Sequence, residues 1–197
     1  MSLKGIKLGY ALTGSFCTFE KAFAALKALL EAGAEVCPIM SFNAAGISSR
    51  FGAADEHIKR LEELCGREVI RTIEAAEPIG PKKMFDALVV APCTSNTLAK
   101  LSNGITDTPV TMAVKSHIRN ARPVVLAVST NDALAASAKN IGMLQNYKNY
   151  YFVPYRQDNF QGKPNSAVAD FEMLLPAVTA ALEHKQLQPV LLPPISQ

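Results

Sequence analysis

Long apolar runs are absent from this chain of 197 residues. No stretch approaches the roughly 18 continuous apolar residues of a bilayer crossing, so a membrane-spanning helix is not expected. Metal-binding cysteine pairs are also missing. Cys17, Cys37, Cys65 and Cys93 form no Cys-x-x-Cys, and the chain has three histidines; a zinc site is not expected. Basic residues form no run of five and the net charge is only +3, which leaves a nucleic-acid role without support. Neither Gly-x-Gly-x-x-Gly nor Gly-x-x-x-x-Gly-Lys-Ser occurs at the first strand–helix turn, so both common nucleotide fingerprints are missing there. The first twelve residues enter a strand pattern directly, with no signal-peptide cleavage site after it. A cytoplasmic protein is expected, without disulfides and with at least three of its four thiols buried.

What is present is apolar periodicity. The apolar share is 49%, which suits one domain over 1–188. A tail over 189–197 holds three prolines and is expected to be loose or partner-bound. Strands are expected over 6–12, 35–40, 87–91 and 124–128, with a further edge strand over 150–153. Helices are expected over 16–31, 55–64, 94–103, 110–120, 132–141 and 167–184, the last kinked at Pro176. Phe16, Phe19, Phe23, Leu26 and Leu30 recur at steps of three and four and form one apolar stripe. The run Ala87-Leu88-Val89-Val90-Ala91 is apolar throughout, as in a strand covered on both faces, and Pro92 is expected to end it. Pro78-Ile79-Gly80-Pro81 is a break. Strands alternating with helices imply a single-domain, three-layer, doubly wound α/β fold with a parallel sheet, Rossmann-like in type.

In such sheets ligands sit beyond the carboxyl ends of the strands. The loops at 13–18, 41–50, 92–100 and 129–131 are therefore the candidates. Gly14 and Ser15 open a helix, whose first N–H groups attract phosphate; Ser15 as a plain cap is the competing explanation. Ser41 and Asn43 add small polar groups at the same sheet edge. The segment after Pro92 is the richest. Thr94, Ser95, Asn96 and Thr97 follow a buried strand directly, whereas one cap needs only one such residue. The basic candidates for binding an anionic substrate are Arg50, whose fork suits a carboxylate, and Lys82 with Lys83. His57 lies among Asp55, Glu56 and Lys59 and is expected on a solvated face. Cys17 lies in a first helical turn, where thiolate is favoured, but a buried thiol is the expectation. Apolar residues over 110–114 suggest a homo-oligomer.

The Gly-Ser turn, the segment Ala-Pro-x-Thr-x-Asn-Thr-x-x-Lys ending at Lys100, and Gly104-Ile105-x-Asp107 together resemble the flavoprotein family. That family includes flavin-dependent cysteine decarboxylases and flavin prenyltransferases. The resemblance implies flavin mononucleotide (FMN) as cofactor. Gly14, Ser15, Ser41 and Asn43 would take its phosphate. Pro92, Thr94, Ser95, Asn96, Thr97 and Lys100 would line the rest. Further features are Ala76-Glu77-Pro78-Ile79-Gly80-Pro81, the variant Pro92-Cys93-Thr94, and Ser129-Thr130-Asn131-Asp132-Ala133-Leu134. They are similar to a branch of the family in which this chain pairs with a second subunit carrying a nicotinamide (NADP) site. For that branch the implied chemistry is oxidation of a dihydropyridine dicarboxylate in the mother cell of a sporulating bacterium.

The decarboxylase pattern is broken in two places. The catalytic His expected ahead of the third-loop strand is missing, since no His occurs between His57 and His117 and Glu77 with Pro78 fills that region. The later Pro-x-Met-Asn segment is replaced by Ser129-Thr130-Asn131. Two alternatives to the oxidoreductase follow: a non-catalytic binding or assembly subunit that keeps the fold, and a decarboxylase with a relocated base. No catalytic residue is assigned.

Overall fold

The computed structural model describes residues 2–194. It opens with β1 (Lys7–Leu12), a 3-10 turn at Phe16–Thr18 and α1 (Phe19–Glu31). Then come β2 (Glu35–Met40), α2 (Phe42–Gly46), α3 (Ala54–Cys65) and α4 (Ile73–Ala76), followed by a second 3-10 turn at Glu77–Ile79. β3 (Ala87–Cys93) leads to α5 (Ser95–Ser102) and α6 (Pro109–Ile118), and β4 (Val124–Thr130) to α7 (Ala138–Asn146). The chain closes with β5 (Tyr150–Phe152), β6 (Tyr155–Arg156), β7 (Ala167–Ala169), a 3-10 turn at Phe171–Met173 and α8 (Leu174–Leu182).

The sheet order is β2-β1-β3-β4-β7-β6, with β5 also on β4. Pairing is parallel from β2 through β4 and on to β5, whereas β7 and β6 are antiparallel. The doubly wound fold is thus present, with a sheet that is mostly parallel rather than wholly so. β1 and β3 are the neighbours at which the strand order reverses, the place where such sheets form a crevice. Every residue of β3 is buried, because α1 and α8 pack over one face and α6 with its neighbours over the other.

The stripe on α1 packs as its spacing predicts: Phe19, Phe23 and Leu26 are buried, and Phe16 and Leu30 lie partly buried against the core. The Tyr10 hydroxyl, on the buried β1, donates to the Ala22 carbonyl at 2.7 Å, which satisfies the polar tip that burial would otherwise penalise. Gly33 follows the helix with φ +97°, a conformation glycine adopts without strain.

Several expected elements are corrected. β3 runs through Pro92 to Cys93, and the register with β4 shifts between Val90 and Cys93; that irregularity accommodates a residue with no N–H to give. The expected helix at 132–141 begins only at Ala138. Asp132 is held by the Thr130 and Ser137 hydroxyls at 2.5 and 3.0 Å, and these bonds fold 131–137 into turns. The expected helix at 167–184 starts as strand β7, because Ala167 and Val168 pair with β4. Asp170 then caps the 3-10 turn by accepting from the Glu172 N–H at 3.2 Å. Residues 42–46, expected as loop, form α2, capped by Ser41, whose oxygen accepts from the Ala44 N–H at 3.2 Å.

Each outer strand carries a short piece of chain along its flank. Ile70 donates to the Pro38 carbonyl at 2.9 Å and accepts from the Met40 N–H at 3.0 Å, beside β2. Gln186 lies beside β5: its Oε1 accepts from the Phe152 N–H and its Nε2 donates to the Phe152 carbonyl, both at 2.7 Å. The tail lies beside β6. Tyr155 donates to Val190 and accepts from Leu192, both at 3.0 Å, so the tail is docked as far as Leu192 and not loose there. Residues 195–197 lie outside the described part. Val110, Ala113 and Val114 are fully buried within the chain and are not surface for a second copy.

Candidate functional site

The carboxyl ends of β1, β3 and β4 open on one cavity of about 710 Å³. Thr13, at the end of β1, is the hinge of the site. Its hydroxyl donates to the Pro92 carbonyl at 2.7 Å and accepts from the Thr94 N–H at 3.1 Å. One side chain therefore ties the first loop to the third across the point where the strand order reverses. A second hydroxyl cluster ties in β4: Ser15 Oγ lies 2.8 Å from Ser129 Oγ, and Thr18 Oγ1 donates to the Ser15 carbonyl at 2.8 Å. Ser15 makes no side-chain cap to the helix; its hydroxyl is used between loops instead.

The cavity brings together Gly14, Ser15, Ser41, Asn43, Thr94, Ser95, Asn96, Thr97 and Lys100. Pro92, expected in the site, is buried and does not line the cavity; its carbonyl accepts from the Thr13 hydroxyl. Asn96 is exposed in the first turn of α5, and the N-cap residue Thr94 makes no side-chain capping bond to that turn. Lys100 Nζ lies 2.7 Å from Asp107 Oδ1, and this hydrogen bond holds the Asp107 carboxyl below its ordinary range.

The three basic candidates fall elsewhere. Lys82 and Lys83 precede β3 and so lie at the opposite, amino end of the sheet; both are exposed. Arg50 stacks its guanidinium on the Phe51 ring at 4.9 Å and does not line the cavity. The cavity's charged lining is Lys100, Lys163, Asp107, Asp132 and Asp158. Asp158, Lys163 and Ser166 come from the loop between β6 and β7, which carries no periodicity and reads from sequence only as polar connection.

Two more expectations are corrected. His57 is buried, 4% exposed, with its ring 4.9 Å from Phe19 and 6.0 Å from Phe23. Ala54, His57, Ile58 and Leu61 are all buried on α3, a helical spacing that the charged neighbours masked. Burial, then the charge of Arg60, pushes the His57 pKa down, and its Nε2 has no partner among the described residues. Of the thiols, Cys37 and Cys93 are buried, Cys65 is half-buried and Cys17 is exposed at the cavity. Burial raises the pKa of Cys37 and Cys93, which makes them packing groups.

The family model named Flavoprotein matches residues 1–182. The chain belongs to the flavoprotein family. It is 48% identical over 190 residues to the B subunit of dipicolinate synthase of Bacillus subtilis (strain 168), covering 96% of this chain and 95% of that one. The crystal structure of the dipicolinate synthase B subunit from Bacillus halodurans C superposes with a TM-score of 0.91 at 40% identity, covering 99% of this chain and 100% of that one. Burkholderia xenovorans DmrB in complex with FMN shares the fold, with a TM-score of 0.67 at 20% identity over 90% of this chain and 96% of that one.

Proposed function

We propose that this flavoprotein-family chain is the B subunit of a dipicolinate synthase, binds FMN, and takes part in oxidising dihydrodipicolinate to dipicolinate during sporulation. The observation that carries the proposal is near-full-length similarity to two proteins of that name, on a cavity at the strand-order reversal that is rich in hydroxyl and amide groups. The donor chemistry fits a flavin nucleotide. Gly14, Ser15, Ser41 and Asn43 would hold the phosphate through backbone N–H and short polar groups. Thr94, Ser95, Asn96 and Thr97 would meet the ribityl chain and the ring edge, where an amide both donates and accepts. The FMN in the DmrB complex points to the same ligand class.

Bound flavin would supply the acceptor for two electrons, and the substrate gains aromaticity. This chain's part is to orient the two molecules and exclude water. Its partner is the A subunit of dipicolinate synthase, which would carry the NADP site; the relative's being one subunit of a synthase implies such a partner. The chain works in the cytoplasm of the mother cell. It assembles with copies of itself, and the exposed Phe42 at the cavity, with the exposed Ile47 and Phe51 in the chain after it, offers surface for that.

One observation favours the second possibility, a binding subunit without chemistry of its own. Among the described residues no histidine lines the cavity, and the aspartates there are engaged with Lys100, Thr130, Ser137 and Ser166. Mass spectrometry of ligand released from the purified chain, followed by turnover with and without the A subunit, separates the outcomes. FMN release with turnover only when the two different subunits are combined is expected. A chain that neither carries nor takes up FMN sinks the proposal.

A further inference from the structure

Among the described residues two cations line the cavity, and they are held differently. Lys100 is fixed, 2.7 Å from Asp107 Oδ1 with its side chain 25% exposed. Lys163 lies 3.8 Å from Asp158 Oδ2 and is 57% exposed, the outer limit of an ion pair. Asp158 does not depend on it, because Asp158 Oδ1 accepts the Ser166 hydroxyl at 2.6 Å. The ammonium of Lys163 can turn to another carboxylate without orphaning the one it leaves.

The backbone under Lys163 is braced. Its N–H donates to the Asn159 carbonyl at 2.8 Å, and its carbonyl accepts from Ser166 at 3.0 Å. Gln157 Nε2 donates to the Pro164 carbonyl at 2.7 Å, and the Asn165 carbonyl accepts from the Leu134 N–H at 3.0 Å, which ties the loop to the segment after β4. A flexible stem on a fixed base suits a point charge that must meet an incoming anion. The loop also sits at the β7–β6 side of the sheet, whereas Ser41 and Asn43 follow β2 at the other side. A carboxylate at Lys163 would not compete with a phosphate there.

We propose that Lys163, on the β6–β7 loop, pairs with one carboxylate of the dicarboxylate substrate and sets the preference for two carboxylates over one; this rests on the dipicolinate synthase proposal above. The test is calorimetric titration of the FMN-loaded full chain with pyridine-2,6-dicarboxylate and with pyridine-2-carboxylate. Lys163→Gln is expected to weaken the dicarboxylate by about tenfold or more, to leave the monocarboxylate nearly unchanged, and to keep FMN affinity. Lys163→Arg keeps the charge and most of the preference. Lys82→Gln with Lys83→Gln, at the far end of the sheet, binds as the unaltered protein does. An undiminished dicarboxylate preference in Lys163→Gln overturns the assignment of Lys163 alone. Failure of the unaltered FMN-loaded chain to bind the dicarboxylate overturns both proposals together.

Discussion

The two ends of the sheet use the same kinds of groups for opposite purposes. At the amino end the polar groups close on one another. Lys7 N–H donates to Asp86 at 2.9 Å, Arg122 donates to the Phe85 and Lys83 carbonyls, and His117 Nε2 donates to the Pro123 carbonyl at 3.1 Å. Gly80 fits against α6, accepting from Asn120 and donating to Ser116, both at 2.8 Å. At the carboxyl end the hydroxyls of Thr13, Ser15 and Ser129 join loops to each other, yet Asn96 remains exposed beside them. The amino end satisfies itself, while the carboxyl end holds its loops in place and keeps donors for something else. The contrast sets groups that close on one another apart from groups left open, although the residue types overlap.

The largest expected effect tests the closed end. A Cβ on Gly80 would sit 2.1 Å from the Ser116 carbonyl oxygen, and backbone cannot swing aside. Gly80→Ala should cost about 3 kcal/mol by overpacking, a fall in melting temperature of about 6 to 12 °C for a chain of this size. FMN affinity of the folded fraction should stay the same. Loss of FMN binding in that folded fraction would break the contrast.

Acid tests the same end. Burial, opposed by the Pro123 hydrogen bond, pushes the His117 pKa down to about 4. A buried neutral histidine binds its proton more readily when unfolded, so its contribution is full above the unfolded pKa of about 6.5 and is lost as pH falls toward 4. His57 shifts the same way. Urea midpoints should drop between pH 7 and pH 4 by the equivalent of about 3 kcal/mol for His117. His117→Gln should flatten that dependence; an unchanged slope would contradict it.

The smallest effect on the fold belongs to the open end. Asn96→Ala should weaken FMN by about 1–3 kcal/mol, the usual cost of leaving a buried partner unpaired. The ligand-free melting temperature should barely move. Titration calorimetry and a melt on one variant read both, and a lower melt with unchanged affinity would make Asn96 a structural residue.

The strands were legible because β1, β2, β3 and β4 are apolar runs between turn residues. Thr94, Asn96 and Thr97 stood out because more polar groups crowd one helix start than capping can use. Sequence misled where long-range pairing overrode local preference. Ala167 and Val168 read as the start of a helix until β4 claims them. His57 read as solvated because its charged neighbours hide a buried spacing. Lys163 gave no local sign at all, since only the antiparallel turn-back of β6 and β7 carries it to the cavity. Lys82 and Lys83 were chosen by charge, and charge carries no information about which end of a sheet a loop occupies; Arg50 follows β2 at the carboxyl end but stacks on Phe51 instead of lining the cavity.

The covered flanks of the sheet have a consequence for how copies can meet. A bare outer strand is a template on which a neighbour's backbone can continue the hydrogen-bond ladder. Here Ile70, Gln186 and residues 190–192 each occupy part of such a flank, Gln186 with a side-chain amide that copies the shape of a peptide group. Any association of copies would thereby be diverted from endless sheet extension toward contacts through side chains, which can close into a finite particle instead of a fibre.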